Sequence, residues 1–175
     1  GIGVIHENEI KTYKWNGRVN KTEKKFNETK IKPSIAIGHT RWATHGEPND
    51  INAHPIKSFN GEFAVVHNGI IENYKELKKI LVEKGYKFYT ETDTEILVNF
   101  IELCVSNSKD IDKGISYALS RLEGAFGIVL IKKSDPEVMY AARKGSPLAF
   151  GKKGNNFFIA SDATPIIEYT KKIIY

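Results

Sequence analysis

Gly124-Ala125-Phe126-Gly127-Ile128-Val129-Leu130-Ile131 is the stretch on which the fold turns, because within it the spacing of apolar residues changes from helical to extended. Upstream, three segments carry helical spacing. Asn73 stands at the head of the first, with Glu76 three residues on as its capping partner, Tyr74, Leu77, Ile80 and Leu81 on one face, and Gly85 as the stop. The second is predicted to start near Thr92, with Glu95 three residues on and Ile96, Leu97, Phe100, Ile101, Leu103 and Cys104 as a broad apolar face. The third spans 111–122 and uses Ile115, Ala118 and Leu119.

Downstream, 125–131, 138–142, 148–150 and 157–160 read as strands. Ser161 or Asp162 then caps a short helix through Ile167, and 172–175 opens another strand. Toward the N-terminus, 2–5 and 10–15 alternate as a hairpin around His6-Glu7-Asn8-Glu9, and 20–30 holds a short helix before Pro33. Residues 34–39 and 63–67 are buried strands, each ending on a histidine, His39 and His67. Between them, 46–61 is rich in Gly, Pro, Asn and Asp and reads as a loop too polar for the core. Strands, helices, strands and a helix, in that order, argue against a doubly wound parallel sheet, which needs regular alternation. The expectation is an α+β fold of antiparallel sheet layered with helices.

The 175 residues suit one domain, 1–175, and their 41% apolar and 27% charged content is ordinary for a packed globular protein. No apolar run approaches the roughly eighteen residues that span a bilayer, and the first residues carry no basic, apolar leader. A cytoplasmic location without membrane contact is therefore expected. The net charge of +5 is spread over scattered lysine pairs such as Lys24-Lys25 and Lys152-Lys153, which reads as solvated surface rather than a nucleic-acid stripe. The single cysteine, Cys104, forms no disulfide framework. It sits late on an apolar helix, away from any group that would lower its pKa, and reads as a core residue rather than a nucleophile.

Two runs concentrate chemistry: His39-Thr40-Arg41-Trp42-Ala43-Thr44-His45-Gly46 and His67-Asn68-Gly69. Arg41, beside Trp42 at a strand end, suits bidentate capture of a carboxylate, with an ion pair to a neighbouring acid as the alternative. Asn68-Gly69 read alone is a hairpin turn; the alternative is an oxyanion hole built from the Asn68 amide and the Gly69 backbone N–H. Asp93 is either a residue favoured by the helix dipole or the receptor of a substrate ammonium. His39, His45, His54 and His67 match no metal-ligand spacing, so no metal is expected. His45 suits a polar role beside a substrate, and His67 equally suits a hydrogen-bonded core position.

These runs, together with Asn52-Ala53-His54-Pro55, Ile70-Ile71-Glu72-Asn73, Glu91-Thr92-Asp93-Thr94-Glu95, Gly145-Ser146-Pro147-Leu148 and Ala160-Ser161-Asp162, follow one another along the whole chain. In that order they resemble the glutaminase domain of the glucosamine-6-phosphate synthase family, which belongs to the class II glutamine amidotransferases; the 39–46 run is the most specific. The resemblance implies an N-terminal-nucleophile hydrolase fold, an αββα sandwich of two antiparallel sheets covered by helices, acting without a cofactor. It also implies chemistry that begins at an N-terminal cysteine whose own α-amino group is the base.

By the same resemblance, Arg41 binds the glutamine α-carboxylate and Asp93 its α-ammonium, while Trp42, Thr44, His45 and His54 shape the pocket. Asn68 and Gly69 form the oxyanion hole. Ammonia then passes to an isomerase domain for transfer to fructose 6-phosphate, in a full-length protein expected to be a homo-oligomer. Because the sequence opens at Gly1, the resemblance implies a domain fragment, inactive by itself, without the nucleophile segment and the C-terminal isomerase domains. Two other readings stand beside it: a nucleophile-less glutamine-binding regulatory module, and another class II amidotransferase.

Overall fold

The computed structural model describes residues 1–41 and 46–175. Its elements in chain order are β1 (Ile2–His6), β2 (Glu9–Tyr13), α1 (Val19–Glu28), β3 (Ala36–Gly38), β4 (Ile56–Lys57), β5 (Phe63–Gly69), α2 (Tyr74–Glu83) and α3 (Asp93–Ser106). There follow α4 (Ile111–Ser120), β6 (Phe126–Lys132), β7 (Asp135–Lys144), β8 (Ala149–Lys153), β9 (Asn156–Ala160), α5 (Thr164–Ile167) and β10 (Ile173–Ile174). The strands form three sheets ordered β2-β1-β3, β4-β5-β6-β7 and β10-β8-β9, and each strand pair is antiparallel. The predicted hairpin is present: Glu7 and Asn8 both take positive φ, 54° and 60°, the two-residue turn whose twist matches its strands.

The four-stranded sheet is buried on both faces, which is why β5 and β6 read as nearly continuous apolar runs. Phe63, Val65, Ile128 and Leu130 point into a core shared with α2, α3 and α4. Their neighbours Ala64, Val66, Val129 and Ile131 point the other way, onto Ile5, Ile10, Ile35 and Ile37 of the first sheet and its lead-in. The smaller sheets cover that second face. Outside them, α1 meets β2 where the Phe26 ring packs edge-on against Tyr13, and α5 lies against β9. The layering is the expected αββα sandwich, except that one β layer is divided between two three-stranded sheets instead of being a single sheet, and the helices outside it are α1 and α5.

Three local expectations are corrected. Residues 46–61 are not all loop, since β4 pairs Ile56 with Val65 and buries Ile56 to 2% exposure; the other residues buried in this stretch include the polar Asn52, His54 and Ser58, so burial there leaves no apolar period. Asn73 heads α2 but its side chain makes no cap bond. Instead its amide donates to Arg121 O and accepts from Glu123 N, tying α2 to the loop after α4. Thr92 does cap α3 by accepting from Glu95 N, yet the Glu95 carboxylate accepts from Tyr89 N and Thr90 N rather than completing a reciprocal box.

Both β3 and β9 are edge strands. Between them opens a cavity of about 300 Å³, floored by Val66, Val129 and Met139 of the central sheet.

Candidate functional site

Three chain ends converge. Strand β3 runs out into His39 and Arg41, β5 ends in His67-Asn68-Gly69, and α3 begins with Asp93 behind the Thr92 cap. Arg41, Asn68, Gly69 and Asp93 line one cavity of about 230 Å³, with His39 and His54 beside them. The hairpin-turn alternative for Asn68-Gly69 is thereby excluded, because both residues lie in register with β6, opposite Gly127 and Phe126.

Gly69 has φ +112°, and a Cβ there would stand 2.0 Å from Ala125 O. No other residue type fits so close a backbone approach. Asp93 is 4% exposed and accepts from Ile71 N through Oδ2 at 2.8 Å; Oδ1 accepts nothing among the described residues. The Arg41 guanidinium donates to Gly46 O and Glu47 O at 3.1 and 3.2 Å. Burial draws its pKa below the ordinary value, and the Asp93 carboxylate opposes that shift. A cation and a carboxylate thus face the same small space.

Sequence reasoning does not single out the brace that steadies Arg41's carbonyl partners. Asn52 donates to Glu47 O at 3.0 Å and to Glu91 Oε2 at 3.1 Å, and accepts from Glu91 N at 3.0 Å. A lone Asn in a polar loop gives no signal of that role. Thr94 is equally silent in the sequence: its hydroxyl lies 2.9 Å from both His54 Nε2 and His67 Nδ1. One hydroxyl carries one proton and two lone pairs, so at most one of these rings accepts from it and at least one donates to it. Among the described residues no group of three His, Cys, Asp or Glu side chains could hold a metal ion. Trp42, Thr44 and His45 lie outside the described residues.

Cys104 sits in the helix-side core at 9% exposure, and burial pushes its pKa up to about 11. It lies eleven residues beyond Asp93 on α3, about 16 Å along the helix axis. It cannot serve this cavity.

Burial, with His39 next in size, pushes His54 from 6.5 down to about 2. The unfolded chain therefore binds a proton that the folded ring refuses at any pH between those values. Stability is complete above about pH 6.5 and falls as pH drops, by about 2 kcal/mol at pH 5 from this group alone. Chemical denaturation at pH 5 and 7 checks this, and a His54→Gln variant should lose that share of the difference.

A sandwich of antiparallel sheets whose strand ends gather a small polar cavity is the N-terminal-nucleophile hydrolase arrangement found in amidotransferases. The chain superimposes, with a TM-score of 0.78 over 95% of its length, on 36% of the glutamine phosphoribosylpyrophosphate amidotransferase from B. subtilis, at 28% identity. A second solved structure, an allosteric regulatory enzyme of purine biosynthesis, matches at 0.79 over 95% of this chain and 36% of its own, also at 28% identity. The chain belongs to the glutamine amidotransferase domain family, whose model matches residues 39–168. Over its full length it is 46% identical to a glutamine–fructose-6-phosphate aminotransferase (isomerizing) of Bacteroides thetaiotaomicron, of which it covers 29%. It is 43% identical, over 99% of its length, to the enzyme of that name from Clostridium perfringens, of which it covers 28%. It therefore aligns with less than a third of these relatives.

Proposed function

We propose that this domain hydrolyses glutamine, and that the ammonia released aminates fructose 6-phosphate to glucosamine 6-phosphate on the part of the longer protein that its relatives carry beyond it. The observation that supports this most is that Arg41, Asp93, Asn68 and Gly69 line one cavity of amino-acid size. Arg41 holds the α-carboxylate and Asp93 the α-ammonium. The side-chain amide then reaches Asn68 and Gly69.

The nucleophile in this reading is the thiolate of a cysteine at the head of a segment preceding Gly1, and its own α-amino group takes the thiol proton. Sulfur bonds to the amide carbon, the carbonyl oxygen takes negative charge opposite the Asn68 and Gly69 N–H groups, and the proton passes to the departing nitrogen. Ammonia leaves a thioester, which water hydrolyses to glutamate and free thiol. The slot between β3 and β9 supports this account. Edge strands carry unpaired N–H and C=O groups, and a strand laid antiparallel along β3 would begin where β3 ends, beside His39 and the cavity. The 300 Å³ cavity has an apolar floor for it.

No helix among the described residues is long and apolar enough to cross a membrane, and we place the enzyme in the cytoplasm as a homo-oligomer. Glutamate release by the full-length protein, abolished by a cysteine alkylator, tests the proposal. Tight glutamine binding without release would make this a sensing module instead. Arg41→Ala should raise KM for glutamine by about ten- to a hundredfold through the lost charge-assisted bonds; steady-state kinetics with glutamine as the varied substrate decides.

A further inference from the structure

The amide of Asn68 has two chemically opposite ends, and an oxyanion hole needs the N–H end in the cavity. Asn68 is exposed at the end of β5, so packing does not decide which end turns inward. A neighbouring ring does. His39 Nε2 lies 2.8 Å from Asn68 Oδ1, and His39 Nδ1 lies 2.8 Å from the backbone nitrogen of Arg41. A backbone N–H can only donate, so Nδ1 carries no proton, and the neutral ring carries its proton on Nε2. Burial above all lowers the pKa of the ring from its ordinary value, and the Arg41 cation adds to this while the bond to Asn68 opposes it. Turned over, the amide would set its own N–H against Nε2–H, donor against donor. In the orientation found, Asn68 Nδ2 donates to no partner among the described residues.

We propose that His39 is a positioning residue of this site: donating from Nε2, it holds the Asn68 amide with its N–H end turned to the substrate's developing oxyanion. The proposal rests on the reading of Asn68 as an oxyanion donor. It also ties the two ends of the substrate site together. The N–H that sets the ring's tautomer belongs to Arg41, whose guanidinium takes the carboxylate, and whose φ of +33° is rare for a residue with a side chain. One residue's side chain grips the head of the substrate while its main chain, through His39, orients the donor at the reacting end.

In the full-length protein, His39→Ala should lower kcat for glutamine about ten- to a hundredfold and leave KM within about threefold, because the amide then spends most of its time misdirected. His39→Gln, whose side-chain N–H reaches the same oxygen, should restore most of the loss. In an Asn68→Ala background, His39→Ala should cost nothing further. Losses that add in the double variant, or a KM effect as large as the kcat effect, would overturn the proposal. Nitrogen NMR of histidine-labelled protein reads the same arrangement without catalysis. It should find the His39 proton on Nε2, with the Asn68 amide resonances shifting in His39→Ala. A proton on Nδ1, or an unmoved amide, refutes the positioning role. A wild-type protein that releases no glutamate refutes the functional reading separately.

Discussion

Replacing Asn68 by Ala is expected to lower kcat for glutamine hydrolysis by about 10²- to 10³-fold while KM changes little. The reason is when the interaction is made. The carbonyl oxygen of bound glutamine carries little charge, whereas the tetrahedral intermediate carries a full one, so a donor aimed at it acts mainly on the transition state. The side chain is exposed and its hydrogen bond goes to His39, so removing it leaves the β5–β6 pairing intact. Single-turnover and steady-state glutamate release by the full-length protein measures the effect, with a denaturation curve to show that the fold survives. A rise in KM at unchanged kcat would mean that Asn68 holds the ground state and the oxyanion assignment is wrong.

Gly69→Ala should damage the protein by a different route. The new Cβ would meet Ala125 O at 2.0 Å, the carbonyl that also accepts the Ile70 N–H, and the residue would keep φ near +112°. Overpacking against backbone and forced left-handed geometry combine to a destabilisation of about 3 kcal/mol or more. Gly85 is the internal comparison, because it has φ +84° and a methyl added there would meet nothing within 4 Å. Gly85→Ala should therefore show only the strain of the backbone, about 1 kcal/mol. Urea denaturation of both variants separates the terms. Equal losses would mean that the close approach to Ala125 contributes nothing.

Much of the frame is legible along the chain because its signals are local. The change of period after Gly124, the Thr92 cap and the turn at Glu7-Asn8 each depend on residues a few positions apart, and the elements they define are present with shifted ends. Strand β4 is not legible, since what makes it a strand is Val65 across the sheet. Asn73 fails as a cap for the same reason. A short polar side chain takes the best partner it can reach, and here that partner is the loop at 121–123, some fifty positions away.

The candidate site divides along the same line. Residue types alone make Arg41 a carboxylate binder or an ion-pair partner, Asn68-Gly69 a turn or an oxyanion hole, and Asp93 a dipole-favoured residue or an ammonium receptor. Neither member of each pair can be excluded from them, because local spacing carries no record of what lies across a sheet. Tertiary packing excludes the hairpin turn by pairing Asn68 and Gly69 with β6, and brings Arg41, Asn68, Gly69 and Asp93 around one cavity. It also adds what no reading of single residues supplies: a His39 tautomer set by the Arg41 backbone and passed on to the Asn68 amide. Motif and periodicity are written in the chain, whereas the direction of a hydrogen bond exists only once both partners have been folded into reach.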